Sequence, residues 1–182
     1  SLVDALSQYL KRIGRAAAEA LLPRDVMALA RLFPVLSQVE AVAGARRRVL
    51  QVSDSQEQRR RAFTAMRELF ARLAAGRAVL LLIDDIHWGD ADSASLLLEL
   101  LRPPEPPPVL LLCTYRTEEA AASPLLQVLL PQLPAGVQTH EVRLAELADD
   151  AACELAASLL GAQARPGQAE AIARESAGNP QL

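Results

Sequence analysis

The chain has 182 residues and a net charge of −3; about half of it is apolar and only 3% is aromatic. That length suits one domain, with room for a small appended one, and an apolar half made largely of Ala and Leu favours helices over an all-β fold. The charge makes no electrostatic case for direct nucleic-acid contact, no run reaches ~18 consecutive apolar residues, so no membrane span is expected, and the two cysteines, Cys113 and Cys153, lie far apart in apolar patterns, which fits a reducing cytoplasmic setting better than a disulfide or zinc scaffold.

Leu2 to about Leu22 carries apolar residues at three-to-four spacing and reads as an amphipathic helix interrupted near Gly14. Pro23 is placed to open a second helix at its first turn, running to about Phe33 and stopped by Pro34. Val35 to Ala43 suits a short helical piece, and Gly44 to Val52 a solvated connection. Ser53, Asp54 and Ser55 offer N-caps for a helix reaching Ala75, with Phe63, Met66, Leu69, Phe70 and Leu73 on one face and Gly76 as the stop. Arg59, Arg60 and Arg61 on that helix read as a solvated face.

Six apolar residues then run unbroken from Ala78 to Ile83, followed at once by Asp84 and Asp85. Such a run suits a strand buried on both faces of a parallel sheet, and acids at its C-terminal end lie where open α/β sheets keep their chemistry. Two adjacent carboxylates are costly if buried unpaired, so a divalent cation or a polarised water would account for them. Asp90 or Asp92 caps a helix through Leu101, a proline-rich stretch from Pro103 to Pro108 forbids helix, and Val109 to Cys113 is a second strand ending in Thr114, Tyr115 and Arg116. Pro124 to about Leu130 is helical. Thr139 to Leu144 alternates as a third strand would, and two helices follow, Leu147–Leu160 and Pro166–Ala177, the second ended by Gly178. The fold class is α/β, with strands alternating with helices in a parallel sheet.

An apolar strand ending in two acids has the form of a Walker B segment; the bland alternative is a strand that ends in two exposed acids. With its company, IDDIHWGDADSASLLLELL, then VLLLCTYR, then GNP near the end, the chain resembles the STAND-type branch of the AAA+-related P-loop ATPases, found in large LuxR-type bacterial regulators and in cyclase- and kinase-associated modules. Asp85, Trp88 and Asp90 match that group's spacing. The resemblance implies a P-loop NTPase core over residues 1–145 (helical to 76, Walker B and sensor strands from 77) and the start of a helical lid over 146–182. It implies ATP or ADP with Mg²⁺, the metal held by Asp84, a water polarised by Asp85, a γ-phosphate sensed by Arg116 and an adenine packed by Pro180. The alternatives are an Arg116 paired with Glu118 or Glu119, and a Gly-x-Pro that is merely a helix terminus. Trp88 reads more readily as an anchor than as a ligand contact. His87 and His140 have no second His or Cys at ligand spacing.

One departure limits this reading. No G-x-x-x-x-G-K-[ST] string occurs, and Lys11, in QYLKRIGR, is the only lysine. Since the chain begins with Ser1, the expectation is a fragment that starts downstream of the phosphate loop, with about three strands of a larger sheet and unpaired edges open to self-association. The function expected is an ATP-binding, slowly hydrolysing switch in a multidomain bacterial signalling or transcription regulator, partnered by other domains of its polypeptide. The alternative is a non-catalytic interaction module that keeps the fold without the loop. A helicase-loading ATPase is a third reading, but should show a basic winged-helix domain.

Overall fold

A computed structural model describes residues 1–45, 54–161, 165 and 167–180. The chain divides into two compact units, Ser1–Gln138 and Thr139–Leu182.

In the first unit, α1 (Leu2–Arg12) begins with a capping box: Ser1 Oγ accepts the Asp4 N–H, and the Asp4 carboxylate accepts hydrogen bonds back from Ser1. Gly14 separates it from α2 (Arg15–Leu21), as the spacing predicts. The next helix starts later than Pro23 suggests: α3 is Val26–Leu32. The turn before it is held elsewhere, because the Arg24 N–H donates to the Glu68 carboxylate at 3.1 Å and the Arg72 guanidinium donates to the Leu22 carbonyl. Pro34 does end α3, and starts a 3-10 turn, Pro34–Gln38, that leads into α4 (Glu40–Gly44). Most of the predicted connection after it lies outside the described residues.

The long helix α5 (Ser55–Ala74) is capped by Asp54, whose side chain accepts the Gln56 N–H. One face buries Ala62, Ala65, Met66, Leu69, Phe70 and Leu73 in the larger apolar core, packed mainly against α3. The other carries the arginine run. Arg60 and Arg61 both donate to Glu57 and lower its carboxyl pKa to about 2, and Arg59 reaches Asp92 at 2.6 Å while lying over the Phe63 ring.

Strands β1 (Val79–Ile83) and β2 (Val109–Cys113) pair in parallel, Val79 opposite Val109 and Ile83 opposite Cys113, with α6 (Ala91–Leu100) in the crossover. This is a mixed α/β architecture with a parallel sheet among helices, a partial form of the core that the sequence implies. Two expectations are corrected. Burial on both faces is not found. Leu81 is buried, and Val79, Ile83, Val109, Leu111 and Cys113 pack against the two apolar clusters, whereas Leu80, Leu82, Leu110 and Leu112 are 50–66% exposed. The third strand is also not found: Thr139 to Leu144 makes no ladder, and Val142 and Leu144 are exposed. Alternation suffices for a strand only where a neighbouring edge accepts its hydrogen bonds. Among the described residues no strand edge pairs with this segment.

After β2, a 3-10 turn at Thr117–Glu119 leads to α7 (Pro124–Leu129), whose Ser123 cap accepts the Leu126 N–H. Leu125, Leu126 and Leu129 close a cluster with Ile86, Ala94 and Leu97. The second unit is a helix pair, α8 (Asp149–Leu160) and α9 (Gln168–Ser176), that buries Ala152, Ala156 and Ala173. Its first helix starts two residues beyond Leu147, whose N–H instead donates to the Gly178 carbonyl at 2.8 Å. Pro166, the predicted start of the second helix, lies outside the described residues.

Candidate functional site

The register of the sheet decides what meets what beyond its C-terminal edge. Ile83 faces Cys113, so Asp84 comes level with Thr114. The ladder continues one step: the Thr114 N–H donates to the Ile83 carbonyl, and the Ile86 N–H to the Thr114 carbonyl. Thr114 Oγ1 then serves both acids, donating to Asp84 Oδ1 and accepting the Asp85 N–H at 2.9 Å.

Between them the chain turns sharply. Asp85 is in the left-handed region, φ +50°, which an L residue other than Asn or Asp tolerates poorly. The turn leaves both carboxylates exposed and drops Ile86 and His87 inward, 3% and 5% exposed. It is anchored at its far end by Gly89. A Cβ there would fall 2.2 Å from Leu125 Cδ1 and 3.1 Å from the Ile86 carbonyl, so glycine lets the turn lie against α7 without displacing the Leu125 side chain. Asp90 caps α6 by accepting the Ser93 N–H at 2.7 Å, which holds its carboxyl below the usual range.

Arg116 leaves the end of β2 exposed, and among the described residues its guanidinium has no ion pair, with Glu118 and Glu119 included. Its backbone N–H points at His87 Nδ1, 3.5 Å away. Asp85 Oδ1 is 3.9 Å from the same nitrogen, beyond hydrogen-bond reach. His87 Nε2 is buried and has no partner among the described residues.

The structure thus brings Asp84, Asp85 and Arg116 to one edge, at the ends of two paired strands. Pro180 belongs to the second unit, exposed after a turn in which Ala177 (φ +48°) and Gly178 (φ +77°) are left-handed. Gly178 is built in: a Cβ would meet the Leu147 carbonyl at 2.6 Å. Trp88 is 79% exposed, so it is no core anchor. Lys11 is helical and donates to Gln38 at 3.1 Å, far from the form of a phosphate loop. Two residues with a part in the edge escaped the sequence reading, Thr114 and His87. Neither was legible: Thr114 sits beside Asp84 only through the register of the two strands, and burial of a loop histidine depends on the packing of its turn on α7.

The edge fits a magnesium nucleotide in part. No cluster of three or more ligating side chains occurs among the described residues. Mg²⁺ in nucleotide sites is held by one or two carboxylates plus phosphate and water, and Asp84, oriented by Thr114 and open to solvent, is of that kind.

The family model described as an AAA ATPase domain matches residues 1–112, more than half of the chain, and the chain belongs to that family. The match includes Asp84 and Asp85; Arg116 and the whole second unit lie beyond it. No curated protein and no solved structure matches the chain. No described helix is long and apolar enough to cross a membrane.

Proposed function

We propose that this chain carries the metal-and-sensor half of the ATP site of a STAND-type regulatory switch. The observation that supports it best is the convergence of two oriented acids and an arginine without an ion pair at one strand edge of an AAA ATPase domain. Asp84 holds the magnesium of the nucleotide, directly or through water, with Thr114 fixing its carboxylate. When bound, that ion neutralises charge on the phosphates. Asp85, turned out by its left-handed backbone, accepts a proton from the attacking water. Arg116 is free to form a bidentate contact with a terminal phosphate. Pro180, on the helix pair, packs on the base, and the pair acts as a lid over residues 146–182 against a core of residues 1–145. Nucleotide state would then set how core and lid pack, the readout passing to neighbouring domains of a cytoplasmic bacterial signalling or transcription regulator.

A non-catalytic interaction module is the second reading. Two facts favour it: there is no Gly-rich loop with Lys-Ser or Lys-Thr, and the sole lysine is committed to α1. A Gly-rich loop with Lys-Ser or Lys-Thr in the coding sequence within roughly 30 to 100 residues upstream supports the ATPase; its absence supports the module. In a protein that contains the loop, Asp85→Asn is expected to abolish turnover and keep ATP binding, and Arg116→Ala to weaken ATP binding about tenfold while leaving ADP binding unchanged. Unchanged turnover in Asp85→Asn removes Asp85 from catalysis. The isolated 182-residue chain is expected to bind Mg-ATP weakly or not at all. Micromolar affinity in calorimetry would overturn that expectation.

A further inference from the structure

The two loops at the strand edge hold each other by exchanging backbone N–H groups. The Asp85 N–H, on the loop after β1, is accepted by Thr114 Oγ1 from the end of β2. The Arg116 N–H, just past β2, points at His87 Nδ1 on the loop after β1. Each loop therefore supplies the acceptor for the other's donor. The two donors belong to the residues that carry the acid and the arginine.

His87 is otherwise hard to account for. It is buried on the turn that packs against α7, and its Nε2 has no partner among the described residues. Burying an imidazole with one nitrogen unsatisfied is unfavourable, and an apolar residue of similar shape would avoid that cost. The Nδ1 nitrogen faces two groups, and it serves one. An Asp85 oxygen at 3.9 Å is too far for a hydrogen bond, whereas the Arg116 N–H at 3.5 Å is a long contact whose N–H is directed at the nitrogen. Accepting from an N–H requires an unprotonated Nδ1, so the proton sits on Nε2.

We propose that His87 is a positioning residue: as the Nε2–H tautomer it clamps the Arg116 backbone to the acid-bearing loop and, with Thr114, fixes the spacing between the Asp85 carboxylate and the Arg116 guanidinium. The clamp itself depends on no nucleotide. Its use, to make phosphate contact at Arg116 felt at Asp85, rests on the ATP-site reading above.

The test uses NMR on the full chain at neutral pH. In the wild type, imidazole ¹⁵N shifts are expected to show Nδ1 without a proton and Nε2 with one. Amide exchange at Arg116 is expected to be at least tenfold faster in His87→Phe, which keeps the ring shape and removes the acceptor, and within threefold of wild type in His87→Asn, whose Oδ1 stands near the Nδ1 position. A proton on Nδ1, or equal Arg116 exchange in wild type and His87→Phe, overturns the clamp. The tautomer measurement stands even if the Phe variant does not fold. In a protein that binds ATP, His87→Phe is expected to lower the maximal rate more than it raises KM, with Asn restoring it. If the clamp is present while Arg116→Ala leaves ATP affinity unchanged, the ATP-site reading fails and the clamp survives.

Discussion

The two faces of the parallel sheet are built from the same kind of residue and end in opposite conditions. Leu81 on one face is 7% exposed, within the larger apolar core, while its neighbours Leu80 and Leu82 on the other are 58% and 62% exposed. Leu110 and Leu112 continue that open face on β2, directly opposite Leu80 and Leu82. Single exposed leucines are ordinary; four on adjacent rungs of one sheet face are not. The comparison teaches where the stability of the first unit resides. Each covered leucine is held by packing on helices, whereas the open ones add apolar surface without packing, so equal hydrophobicity contributes unequal free energy.

That contrast breaks most sharply at Leu81. Leu81→Ala removes a side chain buried in the larger apolar core and is expected to destabilise the chain by about 2–4 kcal/mol, measured by urea unfolding followed by circular dichroism. A loss below ~1 kcal/mol would mean that the covered face is not packed as described. Gly89→Ala tests the covered side at its tip. The added Cβ must displace the buried Leu125 side chain or open the turn, with an expected loss of about 1–3 kcal/mol. The same variant should broaden or shift the Asp85 and His87 resonances, because the turn that aims them is anchored there. Leu82→Lys sharpens the comparison from the open side. It is expected to change unfolding free energy by less than ~0.5 kcal/mol and to reduce binding of an apolar dye such as ANS. A large destabilisation would show that this face is covered after all.

The candidate edge divides in the same way between what is local and what is assembled. Asp84 and Asp85 were visible at the end of an apolar run, and Arg116 at the end of the next, because a short unbroken run followed by charge marks where a buried strand leaves the sheet. Their proximity also follows from the pattern, since two parallel strands joined by one helical crossover put their C-terminal ends side by side. The orientation of the acids did not follow. It depends on Thr114 Oγ1 and on a left-handed Asp85, and so on a register between segments about 30 residues apart. The expected third strand shows the limit from the other side. Thr139 to Leu144 has the alternation, but a strand is a property of a pair, and the described residues supply no partner.

By itself, then, the sequence determined the helical phase of α1 and α5, the caps at Asp54 and Asp90, the two strands and the charged residues that end them. These depend on spacing and on side chains within a few residues of each other. Only the tertiary structure decided which sheet face is covered, that Gly89 lies close against Leu125, and that His87 turns inward to meet the Arg116 N–H. Those are contacts between segments distant in the chain, and no local pattern encodes the packing of α7 that makes them.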